Sequence, residues 1–108
     1  MDEDSQLVVP PSFVALYVPP GRIRPTLARE QLLARYDLCE DLAQSLTEPA
    51  RAKLFELDIT EDLVLERIRR GLLQDAELVS AAEAQWVSSR LAELLGWAPL
   101  APDEAPTP

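Results

Sequence analysis

Arginine side chains are the groups in this sequence whose type and spacing point most directly to a binding chemistry. Arg67 and Arg70 are three residues apart in a stretch with helical spacing, so both project from one helix face. Arg22 precedes the first long helical stretch. Guanidinium groups placed this way can bind phosphates or the carboxylates of an acidic partner, and we take these three as candidate binding residues. The neighbouring Glu66 leaves open the alternative of salt bridges within the helix.

The residues that common enzymes and metal sites require are absent. The 108-residue chain has no histidine and a single cysteine, Cys39, which excludes a histidine-assisted nucleophile, a histidine zinc ligand and an internal disulfide. None of its three glycines is followed by lysine, so there is no loop of the kind that wraps ATP phosphates. A calcium loop starting at Asp58 fails, because Leu63 and Arg69 stand where glycine and an acidic ligand are needed. We therefore predict no enzymatic activity, no cofactor and no bound metal.

A short aromatic segment offers a second candidate site. Phe13, Leu16 and Tyr17 lie between the proline pairs at 10–11 and 19–20, which limit the conformations lost on docking. The composition fits either a short helix, which we favour, or a strand that would have to pair with another chain. We predict that these three side chains form or border a partner-binding surface. The alternative is that the segment covers the open side of a helix bundle.

The charge balance favours a protein partner over nucleic acid. The formal net charge is −9, with five of the 19 acidic residues in the two terminal segments. Acidity repels phosphates in general, so nucleic acid is not expected, whereas a protein of unknown identity or a second copy in a homodimer fits. The longest apolar stretch, residues 7–18, is interrupted by prolines and is shorter than the roughly 20 residues that cross a bilayer. An acidic N-terminal segment and one cysteine favour the cytoplasm.

Apolar residues recur with helical spacing over residues 26–97 and predict an all-α fold, a small bundle of four to five helices. Thr26 is the expected cap of the first long helix, whose apolar stripe would bury Cys39, Leu42 and Leu46 against the last helix. The stripe places Cys39 in the core, and its neighbours Asp37, Glu40 and Asp41 are expected to raise its thiol pKa. We assign residues 7–97 to one helical domain, with disordered tails at 1–6 and 98–108, the second rich in proline.

Local signals predict the ends of the later helices. A short helix begins near Glu48 and runs to Leu57, where Asp58 breaks it. Thr60 is expected to cap a helix that runs to about Gly71, with Ile59 packed against its first turns. Ser80 and Glu83 form a capping box for the last helix, and Gly96 would end that helix in a left-handed turn, with Trp97 folded back over it.

Residues 50–97 resemble the helix-turn-helix part of the MerR-like regulators. The matching runs are Leu57-Asp58-Ile59-Thr60, Gly71-Leu72-Leu73 and Leu95-Gly96-Trp97. The resemblance implies a helix-turn-helix C-terminal half and, in those regulators, DNA binding. Asp58 stands where the family has glycine, and Asp75 and Glu77 stand where a basic wing would lie. The acidic version is more similar to members that resemble modulators of co-chaperones and bind proteins.

The N-terminal half resembles a second group of proteins on residues 9–22 and 35–43. These are small proteobacterial proteins sometimes labelled "ATPase with chaperone activity". The resemblance implies an association with chaperones. The expected function is therefore that of a non-enzymatic protein-interaction module, an adaptor or modulator in protein quality control. The alternative is a degenerate MerR-like DNA-binding regulator, whose affinity for DNA would fall steeply with salt.

We predict that the purified protein neither binds nor hydrolyses ATP, because it has no phosphate loop and its only lysine, Lys53, lies within a helical stretch. Isothermal calorimetry with Mg-ATP measures this directly. A saturable signal in the micromolar range would contradict the prediction.

Overall fold

A computed structural model describes residues 9–100 of the chain. The predicted tail at 1–6 and residues 101–108 of the predicted tail at 98–108 lie outside the described residues. Within 9–100 all regular secondary structure is helical and no strand is present, which confirms the all-α prediction. The aromatic segment forms a short helix, as favoured over a strand: α1 spans Pro11–Val14 and continues as a 3₁₀-helix over Ala15–Tyr17.

Four longer helices follow the aromatic segment. They are α2 (Arg29–Ser45), α3 (Thr47–Leu57), α4 (Glu61–Leu73) and α5 (Ala81–Leu95). The two longest, α2 and α5, pack against each other and form the centre of the bundle. α1 covers one side of this pair, and α3 and α4 pack against α5 further along its length.

Both ends of α5 form as the sequence predicts. The Ser80 hydroxyl accepts from the Glu83 amide at 3.1 Å, and the Glu83 carboxylate accepts from the Ser80 amide at 2.9 Å. At the other end Gly96 is left-handed (φ 77°), and the Trp97 amide donates to the Ala92 carbonyl at 2.9 Å. Glycine carries no Cβ, so this conformation costs it little. Local chemistry alone therefore fixes the length of α5.

The start of α2 differs from the prediction. Thr26 does not cap the helix, which begins at Arg29 with Ala28 in the cap position. The Thr26 amide instead donates to the Tyr17 carbonyl at 2.8 Å, so Thr26 closes the loop before the helix. The Gln31 side chain accepts from the Ala28 amide at 3.2 Å and satisfies one of the helix's free donors.

The breaks around α3 and α4 follow the prediction more closely. Asp58 ends α3 in the left-handed region (φ 53°), a conformation that aspartate tolerates better than most side chains. Thr60 occupies the cap position of α4, although its hydroxyl makes no capping hydrogen bond. Ile59 packs against the core cluster that contains Val64, as expected of a residue that precedes a cap.

The larger core cluster lies between α1, α2 and α5. Phe13 is its centre and is 0% exposed, with Cys39, Ala43 and Val87 also fully buried around it. Leu42 and Leu46 are half-buried and pack against the same cluster. The predicted apolar stripe of α2 therefore faces α5.

A second core cluster joins α3, α4 and α5. Ala50, Val64, Leu65 and Leu91 are fully buried in it. Leu100 packs against this cluster as well, so the ordered contacts of the chain extend past the predicted boundary at 97. The reason is that Leu100 is an apolar side chain within the proline-rich segment and removes apolar area from water by packing against the cluster. Among residues 9–100, no helix has the length and apolarity that crossing a membrane requires.

Truncation of Phe13 tests the assignment of α1 to the core. Because Phe13 is 0% exposed, we expect Phe13→Ala to lower the free energy of unfolding by about 3–5 kcal/mol. Phe55 is 89% exposed, so Phe55→Ala removes the same atoms from a solvated position and should cost under about 0.5 kcal/mol. Denaturant unfolding measures both. Equal losses in the two variants would contradict the core assignment.

Candidate functional site

A groove of about 580 Å³ runs along α5 beside the aromatic segment. The side chains that line it come from the region of α1, from α2 and from α5, with one residue beyond α5. They are Pro10, Ser12, Leu16, Tyr36, Glu40, Gln85, Trp86, Ser89, Arg90, Glu93 and Pro99. Its size lies within the range of about 300–1,000 Å³ that is usual for ligand pockets.

Aromatic rings form the apolar wall of the groove. Trp86 meets Phe13 edge-on, with ring centroids 5.1 Å apart and planes at 84°. Tyr36 meets Trp86 in the same manner at 5.9 Å. The Trp86 indole donates to the Ser12 hydroxyl at 3.0 Å. Edge-to-face contacts and this hydrogen bond fix the ring positions, so the wall is formed before any partner docks.

An ion-pair network forms the polar side of the groove. Arg90 donates to both carboxylate oxygens of Glu40, each at 2.9 Å, and also to Glu93 at 2.9 Å. The hydrogen bond from Arg90 is the main reason that the pKa of Glu40 is lowered. The same bond to Glu40 raises the pKa of Arg90. Two carboxylates face one guanidinium here, which leaves this side of the groove with an excess of negative charge.

The Tyr36 hydroxyl lies in an acidic environment. Burial raises the pKa of Tyr36 most, and the charges of Glu40 and Asp37 raise it further, against the opposing effect of Arg90. Tyr36 also borders a second hollow of about 230 Å³ with Leu33, Ala34 and Asp37. Burial and the two acidic side chains therefore both favour the protonated phenol.

The Glu83 carboxylate holds the elements around the groove together. The Glu83 side chain is 3% exposed. Its oxygens accept two hydrogen bonds from Arg35, at 2.6 and 2.9 Å. They also accept from the Tyr17 hydroxyl and from the Ser80 amide. Arg35 also donates to the Leu78 carbonyl at 2.8 Å. A buried charge is stable only when it is paired and fully hydrogen-bonded, and Glu83 meets both conditions.

The predicted aromatic site is divided between core and surface. Phe13 is a core residue and exposes none of its side chain, so it does not form a docking surface; α1 covers the bundle through it. Leu16 is half-buried and lines the groove. Tyr17 is half-buried, and its hydroxyl is used in the bond to Glu83. Of the three, Leu16 is the residue that the groove presents.

The predicted arginines lie apart from the groove. Arg67 and Arg70 are exposed on α4, which contributes no described residue to the groove lining. Arg70 bonds Glu66 at 3.2 Å, and the buried Arg69 bonds both Glu66 at 2.7 Å and Gln85 at 2.6 Å. The salt bridges named as the alternative are therefore present for Arg70. Arg22 is exposed on the loop before α2.

Sequence analysis missed the charged residues that build the site, chiefly Arg35, Glu40 and Arg90. A signal for Arg35 was available, because it falls on the same helix face as Leu32 and Cys39, where a charged residue needs a buried partner. Which carboxylate supplies that partner depends on how α2 and α5 pack. Helical spacing does not contain this information.

Cys39 and the acidic side chains were the remaining candidates for reactive or metal-binding groups among residues 9–100. Cys39 is fully buried, and burial raises its thiol pKa to about 11, as the sequence predicts in direction. Within residues 9–100, no cluster of three or more acidic or cysteine side chains is arranged to hold a metal ion. The groove can bind an apolar side chain through its rings and a cationic group through its carboxylates.

Comparison with known proteins adds no relative to this description. No family model, no curated protein and no solved structure matches the chain.

The Glu40–Arg90 pair gives a prediction for the pH dependence of stability. Because the pKa of Glu40 is lowered from 4.5 in the folded state, its contribution is present above that value and is lost as the pH falls through the folded pKa. At pH 7 we expect Glu40→Gln to destabilise the protein by about 1–3 kcal/mol. Below about pH 4.5 the difference from the unsubstituted protein should shrink.

Glu48 provides the matched control for this prediction. It is 86% exposed and lies 3.4 Å from Arg51, so Glu48→Gln should change the free energy of unfolding by under about 0.5 kcal/mol at any pH. Denaturant unfolding of both variants and of the unsubstituted protein is measured from pH 3 to pH 7 in steps of about one pH unit. A Glu40→Gln effect that does not depend on pH would show that the ion pair is not its cause.

Proposed function

We propose that this protein is a non-enzymatic protein-interaction module whose groove binds a partner segment with an apolar side chain flanked by basic ones. The observation that carries the proposal is the meeting of Leu16, Tyr36 and Trp86 with the Glu40–Arg90–Glu93 network along one groove. The rings offer apolar area of the type that dominates protein interfaces. The carboxylates select the charge of the partner.

The groove is organised for binding before a partner arrives. The contacts among Phe13, Tyr36 and Trp86 fix the apolar wall, and the two-pronged bond from Arg90 to Glu40 fixes the polar side. Side chains that are already held lose little freedom on association. A pre-formed groove therefore favours binding of a short segment.

Charge supports a basic partner. Glu40 and Glu93 outnumber Arg90 in the groove, and the chain as a whole carries −9. A field of this sign attracts basic segments and repels phosphates, which matters for the rate and selectivity of association.

DNA binding through α4 has less support. Glu66 already occupies Arg69 and Arg70, and Arg69 is buried, so two of the three arginines on this helix are engaged within the protein. The MerR-like helix-turn-helix reading of residues 50–97 and the association with chaperones in the cytoplasm rest on resemblance and composition alone. They stay predictions.

Selection of peptides from a random displayed library tests the proposal. The full chain serves as bait beside Ser89→Lys, which places a long cation in the groove, and Ala52→Lys, which adds the same charge on exposed α3. We expect enrichment of peptides in which an apolar residue lies between basic ones. Binding should weaken at least about tenfold in Ser89→Lys and stay unchanged in Ala52→Lys.

Two outcomes would contradict the proposal. One is the absence of any enriched peptide class. The other is enrichment that Ser89→Lys leaves unaffected, which would place the binding surface outside the groove. A titration with duplex DNA at low salt addresses the regulator alternative, because DNA affinity that falls steeply as salt rises would favour phosphate contacts.

A further inference from the structure

The loop between the 3₁₀-helix and α2 is a fixed projection. Within it the Arg22 amide donates to the Pro19 carbonyl at 3.0 Å, and Gly21 is left-handed (φ 80°). Proline and then glycine at the two central positions are typical of a type II turn. The bond from the Thr26 amide to the Tyr17 carbonyl closes the base of the loop. These two backbone hydrogen bonds define the shape of the loop between Tyr17 and Thr26.

The tip of this loop exposes an apolar side chain between two cations. Ile23 is 91% exposed, the highest value among the large apolar residues of the described chain. Arg22 and Arg24 on either side are exposed as well. Covering this exposed isoleucine with another apolar surface would lower the free energy, because it removes apolar area from water. The residues at the tip are basic, apolar and basic in order. This pattern matches the groove, which has aromatic rings on one side and an excess of carboxylates on the other.

We propose that the groove of one copy of this protein binds the loop tip of a second copy. Ile23 enters the groove against Leu16 and Trp86, and Arg22 and Arg24 lie beside its carboxylates. This inference rests on the proposed function of the groove and names its occupant. Within one chain the loop does not reach the groove, since Ile23 is left almost fully exposed.

The positions of loop and groove favour a reciprocal pair. Leu16 lines the groove, and the loop begins directly after Tyr17, whose hydroxyl is bonded to Glu83 on α5. The loop therefore begins two residues after a residue that lines the groove. When two copies face each other across a two-fold axis, each loop can enter the partner's groove, and the assembly closes as a dimer.

The contact is small and charged, which sets its expected strength. A single loop in a groove buries less than the roughly 1,200 Å² of a standard stable interface, so we expect dimers that form and dissociate with concentration. Since arginine–carboxylate contacts at an exposed rim are screened by ions, association should also weaken as salt increases.

Sedimentation velocity of the full chain over a concentration series tests the inference. The variants are Ile23→Ser at the loop and Ser89→Lys in the groove, with Phe55→Ser and Ala52→Lys as controls. Phe55 is exposed to the same degree as Ile23, so Phe55→Ser removes a comparable apolar surface elsewhere. We expect each of the first two variants to weaken dimerisation at least about tenfold and both controls to leave it unchanged.

A mixture of the two defective variants supplies the decisive comparison. Ile23→Ser retains a working groove, and Ser89→Lys retains a working loop. Mixed dimers then contain one intact contact, whereas each variant alone has none. We expect the mixture to associate more strongly than either variant by itself and more weakly than the unsubstituted chain.

Three results would overturn the inference: a monomer at all concentrations, a dimer that Phe55→Ser rather than Ile23→Ser abolishes, or a mixture that does not recover association. Peptide binding separates this failure from that of the proposed function. Ile23→Ser should still bind the selected peptides through its intact groove. Peptide binding without dimers refutes only the loop as occupant, and loss of both in the unsubstituted chain refutes the groove itself.

Discussion

The buried carboxylate of Glu83 is the interaction on which the arrangement of the bundle depends. A charge that is 3% exposed must be compensated within the protein, and here Tyr17, Arg35 and the Ser80 amide all donate to it. These donors belong to the segment after α1, to α2 and to the loop before α5. A single carboxylate thus joins three separate parts of the chain at the start of α5. Loss of any donor would leave part of a buried charge unsatisfied, and this penalty makes the arrangement specific.

The function proposed for the groove follows from this anchor. With the first turn of α5 held against α2 and the aromatic segment, the next turns present Trp86, Ser89 and Arg90 toward α2. Arg90 then bonds Glu40 on α2 and forms a second connection between the two helices. The Glu83 carboxylate is buried, whereas the Glu40–Arg90 pair borders the groove. The same kind of interaction therefore stabilises the fold at one point and sets the charge of the groove at another.

The candidate site was predictable only in part. Sequence analysis identified the proline-fenced segment and correctly favoured a short helix, but it could not say which of its side chains face outward. Phe13 is buried because α2 and α5 place Tyr36 and Trp86 around it, whereas Leu16, three residues further on, packs at the edge of the same cluster and borders the groove. A four-residue helix followed by a 3₁₀ turn is too short for a periodic pattern to reveal its buried face. Tertiary packing supplied that answer.

The sequence by itself determined the helices and most of their ends, because these depend on neighbours within a few residues. The capping box at Ser80, the left-handed Gly96 and the break at Asp58 are all interactions of this local kind. Only the tertiary structure decided the pairs that build the groove and its anchor. Their partners lie 66, 48 and 50 residues apart for Tyr17–Glu83, Arg35–Glu83 and Glu40–Arg90. The sequence shows that a charged side chain on a buried helix face needs a partner, but many carboxylates in an acidic chain could be that partner. The packing of α2 on α5 selects one of them, because it brings the facing side chains within hydrogen-bonding distance.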